Sequence, residues 1–292
     1  MEHVPSIDLI RRALPDIEIV DFIDSGGFKA VFKVIVGKRR EALKMIYIPK
    51  DEEDPEGHAE VPQRIKLEID SLARCSSQYL VKLGSIPPRE IEISGYKYIL
   101  YSEEFLEGRT IKNRIRELYR PTFSECKLLL TCLIDVVCEL KDLNLIHRDI
   151  KPANVMELNI PERPYAVLDL GIAFKIGSTA ITINPDLRLG TLPYMAPEIF
   201  EPGFRETLNH RSDLYSAAVT VYEYSSGVHP VARRREDHNT TVYRILNNRP
   251  TPLSEFRPDF PRQFCTLIDR LMHKMPALRP NIATISRTME GL

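Results

Sequence analysis

The stretch "HRDIKPAN", residues 147–154, concentrates polar and charged side chains between the apolar residues Ile146 and Val155. It places the carboxylate of Asp149 five residues before the amide of Asn154, with Lys151 between them. One interpretation is a polar loop joining a helix to a strand, because Asp and Asn often form turns. The other is that these side chains meet one highly charged ligand. Phosphoryl transfer needs such a set, since it requires a proton acceptor, oxygen ligands for a metal and a cation near the phosphates.

Composition excludes several classes of protein. The chain has 292 residues, 43% hydrophobic and 28% charged, with a net charge of −1. This is an ordinary globular balance, so we expect neither nucleic acid nor a membrane as a partner. The five cysteines form no CxxC pair, which argues against a disulfide framework or a zinc site. With no secretion signal and no apolar stretch long enough to span a bilayer, we expect a cytoplasmic protein.

The first part of the chain has the pattern of β-strands, and the part after Gly108 has the pattern of helices. Alternating Val, Ile, Phe and Tyr predict strands, and apolar residues at helical spacing predict helices. Strands are predicted at 17–23, 30–36, 41–48, 80–86 and 96–101, an exposed charged loop at 49–62, and helices at 63–75, 123–143, 212–227 and 262–275. Thr122 and Glu125 have the spacing of a capping box at the start of one helix. The order predicts an α+β fold in two lobes.

Five short motifs then occur in the order and with the gaps of one family. "HRDIKPAN" resembles the catalytic loop of eukaryotic-type serine/threonine protein kinases. The resemblance implies that Asp149 is the catalytic base, that Lys151 contacts the γ-phosphate, and that Asn154 binds magnesium. Asp169 in "VLDLGIA" lies where the family's DFG aspartate binds the same metal. A leucine, Leu170, replaces the DFG phenylalanine.

The remaining motifs lie on both sides of the catalytic loop. Lys44 in "EALKMI" resembles the strand lysine that holds the α- and β-phosphates, and Glu68 in "KLEIDSL" resembles its ion-pair partner. "APE" at 196–198 resembles the end of the activation segment. Asp213 resembles the aspartate that anchors the catalytic loop, and Arg279 the arginine that pairs with the APE glutamate. The resemblance covers roughly residues 17–289.

The phosphate-covering loop departs from the family pattern G-x-G-x-x-G-x-V. In "DSGGFKAV", residues 24–31, Asp24 replaces the first glycine and Lys29 replaces the third. Glycine lets backbone N–H groups approach phosphates closely, so we expect weakened ATP affinity. The nucleotide contacts implied by the resemblance are Ser25, Gly26, Gly27, Phe28, Val31, Ala42, Lys44, Glu104, Leu106 and Met156. Glu103 corresponds to the position behind the adenine pocket, where a buried carboxylate needs a partner.

The resemblance implies a bilobal protein-kinase-like fold, with an antiparallel β-sheet and one main helix in the N-lobe and a mostly α-helical C-lobe. We expect an N-terminal extension over residues 1–16 and a kinase domain over 17–292. Within that domain we expect the N-lobe at about 17–104, a hinge at about 104–108 and the C-lobe at about 109–292.

The expected activity is transfer of the γ-phosphate of Mg-ATP to serine and threonine hydroxyls of protein substrates, including the chain itself. Mn²⁺ is an alternative to Mg²⁺. Lys151 and Thr191 favour serine/threonine over tyrosine specificity, and Arg148 points to an activation segment that responds to phosphorylation. The candidate phosphorylation sites are Ser178, Thr179, Thr182 and Thr191. The pattern predicts no oligomeric state.

Two alternatives remain. The altered glycine loop is compatible with a pseudokinase scaffold that binds nucleotide weakly. A related small-molecule phosphotransferase shares an H-x-D-x-x-x-x-N-like loop, although the APE segment, Asp213 and Arg279 favour protein substrates. Radiolabel transfer to a protein substrate, compared with an Asp149→Ala variant, separates the kinase from the scaffold.

Overall fold

The computed structural model describes residues 3–26, 28–50, 55–170, 174–175, 192–233 and 236–292. The chain forms two compact units. The N-terminal unit comprises residues 1–74 and 81–106, and the C-terminal unit comprises residues 75–80 and 107–292. Residues 75–80 are thus separated in sequence from the rest of the unit to which they belong.

The N-terminal unit is built on an antiparallel five-stranded sheet in the order β1-β2-β3-β5-β4. Its elements are α1 (Ile7–Ala13), β1 (Glu18–Gly26), β2 (Lys29–Val36), β3 (Arg39–Ile48), α2 (Pro55–Arg74), β4 (Arg89–Ile93) and β5 (Tyr96–Glu104). Strands β1, β2, β3 and β5 cover four of the five predicted strands, because alternating β-branched and aromatic residues suit a pleated surface with a buried face.

The two faces of this sheet have different partners. Phe32, Leu43 and Leu100 belong to a buried cluster that also contains Ile10 of α1. Ile46 and Tyr101 belong to a second cluster with Ile65 of α2. Because side chains alternate between the faces of a strand, Lys44 lies on the same face as Ile46 and therefore on the α2 face.

Two local predictions were wrong. Residues 80–86 form only isolated bridges, Leu80 to Val167 and Leu83 to Glu103, and the strand begins later at Arg89. Pro87 and Pro88 lack backbone N–H groups, so a regular ladder cannot continue through them. Part of the predicted exposed loop is helical, since α2 begins at Pro55. Proline suits the first helical position, and Glu56, Ala59 and Glu60 favour a helix, whereas Gly57 and Pro62 within it do not and made a loop the natural prediction.

The C-terminal unit is mostly helical. Its helices are α3 (Ile111–Arg116), α4 (Phe123–Asp142), α5 (Phe204–Thr207), α6 (Arg211–Ser226), α7 (His238–Asn247), α8 (Leu253–Phe256), α9 (Arg262–Leu271) and α10 (Ile282–Glu290). Its short strands are β6 (Gly108–Thr110), β7 (Leu145–Ile146), β8 (Val155–Leu158), β9 (Tyr165–Val167) and β10 (Phe174–Lys175). Strands β6, β8 and β9 form one small sheet in the order β6-β8-β9, and β7 pairs with β10. Single-turn 3₁₀ helices occur at Pro152–Asn154, Leu192–Tyr194, Pro197–Phe200 and Pro276–Leu278.

Helices α4 and α6 form the centre of this unit. The predicted capping box is present, with Glu125 N–H donating to Thr122 Oγ1 at 3.3 Å and Thr122 N–H donating to Glu125 Oε2 at 2.7 Å. Helix α6 ends at Ser226 and is followed by Gly227, whose φ of 73° is a left-handed conformation that favours glycine. The α+β bilobal fold class is confirmed, as are the helices predicted at α4, α6 and α9. Within the described ranges, no helix has the length and apolar character needed to cross a bilayer.

Candidate active site

Lys44 lies in a buried charged cluster of the N-terminal unit. Its Nζ donates to Glu68 Oε1 at 3.1 Å, so the ion pair expected from the sequence is present. Tyr101 Oη donates to the same Glu68 oxygen at 2.8 Å. Lys44 and Glu68 are only 4% and 6% exposed. Water therefore screens this pair little, and its geometry is fixed by β3, β5 and α2.

The same ammonium group also contacts Glu103, which is 3% exposed. The sequence left open which cation could pair with this carboxylate. In the β3–β5 ladder Lys44 is opposite Tyr101, and Ala42 is opposite Glu103. Opposite and diagonal residues on one face of a sheet are close enough for long side chains to meet. Lys44 is therefore shared by two carboxylates.

The predicted phosphate-covering loop is the end of the β1–β2 hairpin. Strand pairing continues to Gly26 and Lys29, with Ser25 opposite Ala30. The Asp24 carboxylate accepts a hydrogen bond from the Ser25 N–H at 2.8 Å. This backbone donor is consequently engaged by the side chain that replaces the family's first glycine. Phe28 is 46% exposed at the end of the hairpin, and Gly27 lies outside the described residues.

The other predicted nucleotide contacts belong to both units. In the β2–β3 ladder Val31 is opposite Lys44, and Ala42 is opposite Lys33, so Val31 and Ala42 share the face of Lys44. Glu104 N–H donates to the Lys82 carbonyl oxygen at 2.9 Å, which engages that donor within the N-terminal unit.

Leu106 is the last residue of the N-terminal unit. Met156 lies on β8 of the C-terminal unit, opposite Thr110 and Ala166.

In the C-terminal unit, Asp213 holds the backbone that precedes the catalytic-loop aspartate. Its two carboxylate oxygens accept from the N–H groups of His147 at 2.8 Å and Arg148 at 2.9 Å. Burial raises the pKa of Asp213, although the charge of His147 and these hydrogen bonds act in the opposite direction. The two bonds fix a turn in which Arg148 has a φ of 66°, a conformation that costs energy for a residue with a side chain.

Asp149 is 4% exposed, and both of its carboxylate oxygens accept hydrogen bonds. Lys151 Nζ donates to Oδ1 at 2.6 Å, and Asn154 Nδ2 donates to Oδ2 at 2.8 Å and to the Asp149 carbonyl oxygen at 3.0 Å. The three residues that the sequence singled out thus lie in direct contact. Because the amide nitrogen of Asn154 faces Asp149, its amide oxygen can serve as a metal ligand.

Asp169 is held beside Asn154 by backbone pairing. Strands β8 and β9 pair Val155 with Val167, and the Leu168 N–H donates to the Asn154 carbonyl oxygen at 2.8 Å. Asp169 is 7% exposed and has a φ of 63°. A carboxylate and an amide oxygen are the donors that Mg²⁺ prefers, and it keeps several waters or phosphate oxygens beside them. These two residues fit a magnesium ion. Within the described ranges, no group of three His, Cys, Asp or Glu side chains is placed to hold a metal on its own.

Residues 17–289 match the family model described as the protein kinase domain. The chain belongs to the protein kinase family. It is 27% identical over 275 residues to the probable serine/threonine-protein kinase PknB of Corynebacterium glutamicum, covering 91% of this chain and 40% of that protein. It is 29% identical over 204 residues to serine/threonine-protein kinase A of Synechocystis sp., covering 66% of this chain and 38% of that protein. A protein kinase and PP2C-like domain-containing protein of Arabidopsis thaliana is 22% identical, covering 92% of this chain and 42% of that protein. The kinase chain thus spans about two fifths of the length of these relatives.

The end of the kinase's predicted activation segment is fixed by a buried ion pair. Arg279 donates through both terminal nitrogens to the Glu198 carboxylate, each at 2.7 Å. Its Nε donates to the His273 carbonyl oxygen at 2.8 Å. A paired arginine fork of this kind is strong and directional. Residues 176–191, which include the predicted phosphorylation sites and Thr191, lie outside the described residues.

Sequence reasoning found the local kinase motifs but missed two parts of the site. The first is the role of Tyr101, which donates to Glu68. The second is the identity of the cation for Glu103. The sequence does contain a signal for both, because Tyr101 and Glu103 are two residues apart on β5 and therefore share one face. That signal becomes specific only when the β3–β5 register is known.

Proposed function

We propose that this chain is an ATP-dependent protein serine/threonine kinase. The observation that carries the proposal is the convergence of Lys151 and Asn154 on the Asp149 carboxylate, in a chain of the protein kinase family. Serine/threonine specificity is supported by the names of the relatives in Corynebacterium and Synechocystis. Their longer sequences leave the substrates and partners of the whole protein to experiment.

In the proposed reaction, the Asp149 carboxylate accepts the proton of a substrate serine or threonine hydroxyl. A bond forms between the hydroxyl oxygen and the γ-phosphorus, while the bond from that phosphorus to the bridging oxygen of ADP breaks. Lys151 donates to the same carboxylate and supplies positive charge next to the transferred group. The carboxylate orients the hydroxyl, and the ammonium group of Lys151 offsets the negative charge of the transferred phosphoryl group.

Asn154 and Asp169 would hold Mg²⁺, or Mn²⁺ in its place, and the ion would offset the negative charge of the phosphates. Lys44 would contact the α- and β-phosphates, with Glu68 fixing its position. Ser25, Gly26, Gly27, Phe28, Val31, Ala42, Glu104, Leu106 and Met156 are the proposed contacts for the rest of the nucleotide.

Asp149→Asn tests the proposal, because it keeps the size of the side chain and removes the proton acceptor. We expect transfer of radiolabelled phosphate from Mg-ATP to a generic protein substrate to fall by about 10²–10⁴-fold. Asp142→Asn, at an exposed position of α4, is the matched control and should retain wild-type activity. Mass spectrometry of the wild-type protein after incubation with Mg-ATP will show whether it phosphorylates itself.

Nucleotide binding without any transfer by the wild type would replace the proposal with the pseudokinase scaffold. Equal transfer by the wild type and Asp149→Asn would reject Asp149 as the base.

A further inference from the structure

Lys44, Glu68 and Glu103 form a buried group in which two acidic side chains contact one basic side chain. One ammonium group contacts two carboxylates, Glu68 and Glu103, and all three side chains are at most 8% exposed. In the ionised state these three groups sum to −1. Charges removed from water interact strongly. A second carboxylate on Lys44 therefore weakens the attraction between this ammonium group and any further anion.

The two carboxylates are held by different elements. Glu68 lies on α2 and accepts a second hydrogen bond from Tyr101. Glu103 lies on β5, next to β3 in the sheet, and is placed by the strand register. A ladder of backbone hydrogen bonds therefore fixes Glu103 relative to Lys44.

We propose that Glu103 is a positioning residue that competes with nucleotide phosphates for Lys44 and so lowers the affinity of this kinase for ATP. The inference rests on the proposed function, in which Lys44 binds the α- and β-phosphates. It adds a determinant of affinity that acts through the lysine and is separate from the altered β1–β2 hairpin. When no phosphate is bound, Glu103 holds the ammonium group of Lys44 in place. When a phosphate is bound, the Glu103 carboxylate repels it.

The charge argument makes the effect depend on the ligand. Repulsion between Glu103 and the ligand grows with the number of phosphates, and the ammonium has a role only when phosphates are present. Removal of the Glu103 charge should therefore tighten ATP binding most, ADP binding less and adenosine binding not at all. A residue that acted on the adenine ring directly would change all three ligands equally.

Glu103→Gln is the informative variant because it keeps the side chain's length and an oxygen that accepts from Lys44. Lys44→Met is less informative because it leaves Glu68 and Glu103 buried without their shared cation, which destabilises the fold. Glu92→Gln, at an exposed position of β4, removes one charge from the same sheet and is the matched control.

The test is calorimetric titration of wild type, Glu103→Gln and Glu92→Gln with ATP, ADP and adenosine in the presence of Mg²⁺. For Glu103→Gln we expect the dissociation constant of ATP to fall by about tenfold and that of ADP by a smaller factor. That of adenosine should stay unchanged, and Glu92→Gln should match wild type throughout. In phosphotransfer assays KM for ATP should fall while kcat changes less than about twofold.

Unchanged or weaker ATP binding by Glu103→Gln would overturn the inference, as would an equal gain for adenosine. If wild type binds no Mg-ATP but Glu103→Gln does, the inference stands and the proposed kinase activity of the wild type fails. Binding by neither protein rejects both.

Discussion

His229 is a buried imidazole whose hydrogen bonds require its neutral form. Its Nδ1 accepts from the N–H groups of Val231 at 3.1 Å and Ala232 at 2.8 Å, and its ring packs edge-on against Tyr194 at 5.0 Å. Burial lowers the pKa of His229 to about 4, while the nearby Glu236 carboxylate acts in the opposite direction. Protonation of Nδ1 would break both hydrogen bonds, which lie within the loop that connects α6 to α7.

This pKa predicts a specific loss of stability in acid. The unfolded histidine titrates near pH 6.5, so between about pH 6.5 and 4 the unfolded chain binds a proton that the folded chain excludes. The contribution of the neutral His229 to the free energy of unfolding is complete above that pH window and is lost as the pH falls through it. Between about pH 7.5 and pH 5, wild type should lose about 2 kcal/mol more free energy of unfolding than His229→Gln.

Urea unfolding at the two pH values measures the difference, and comparing each protein with itself removes any constant effect of the substitution. His238→Gln, at the exposed start of α7, should keep the wild-type pH dependence. Equal losses in wild type and His229→Gln would show that the buried imidazole does not control acid stability.

Helix α1 shows how a segment outside the family pattern becomes part of a folded unit. The match to the protein kinase domain begins at residue 17, whereas α1 covers Ile7–Ala13. Ser6 caps the helix by accepting from the Leu9 N–H at 3.4 Å. Seven residues are too few for a helix that is stable alone, so its stability must come from packing. Ile10 and Leu14 supply it, at 0% and 3% exposure, within the core of the N-terminal unit.

Ile10→Ala should destabilise the protein by about 2–5 kcal/mol, because it removes buried methyl groups and leaves a cavity against the sheet. Arg12→Ala, on the exposed side of the same helix, should change the free energy of unfolding by less than about 0.5 kcal/mol. Urea unfolding measures both values. A loss below about 1 kcal/mol for Ile10→Ala would mean that α1 is not part of the cooperative core.

At the scale of the element, sequence patterns predicted those helices whose signals come from residues close together along the chain. The capping box at Thr122, the apolar spacing of α4 and the glycine after α6 are local signals, and they predicted those helices. Residues 80–86 show the limit, because their apolar composition suits a strand, whereas the structure gives them only isolated bridges and single backbone hydrogen bonds to β5. A Cβ on Gly84 would clash with Ser102 Oγ, a contact that composition does not reveal.

At the scale of the whole molecule, the order of the motifs predicted the family, while contacts distant in sequence stayed hidden. Asp149, Lys151 and Asn154 lie within six residues, so their spacing alone suggested a shared ligand. Lys44 and Glu103 are 59 residues apart and meet only through the β3–β5 register. The same applies to the contribution of α1 to the core, which depends on a sheet whose strands come later in the chain.

Binding of Mg-ATP should stabilise the chain, since a ligand that binds only the folded state shifts the folding equilibrium by mass action. At a concentration about 100 times its dissociation constant, the gain is about 2.7 kcal/mol, which corresponds to a rise in melting temperature of about 4 °C for a chain of this size. Asp169→Asn removes a proposed magnesium ligand and should reduce this rise by at least about half, as should chelation of Mg²⁺ with EDTA. Asp142→Asn, exposed on α4, should keep the full rise. Differential scanning fluorimetry measures all four conditions.

An equal rise in melting temperature for the wild type with and without Mg²⁺ would show that the metal contributes nothing to nucleotide binding. The proposed role of Asn154 and Asp169 would then be wrong.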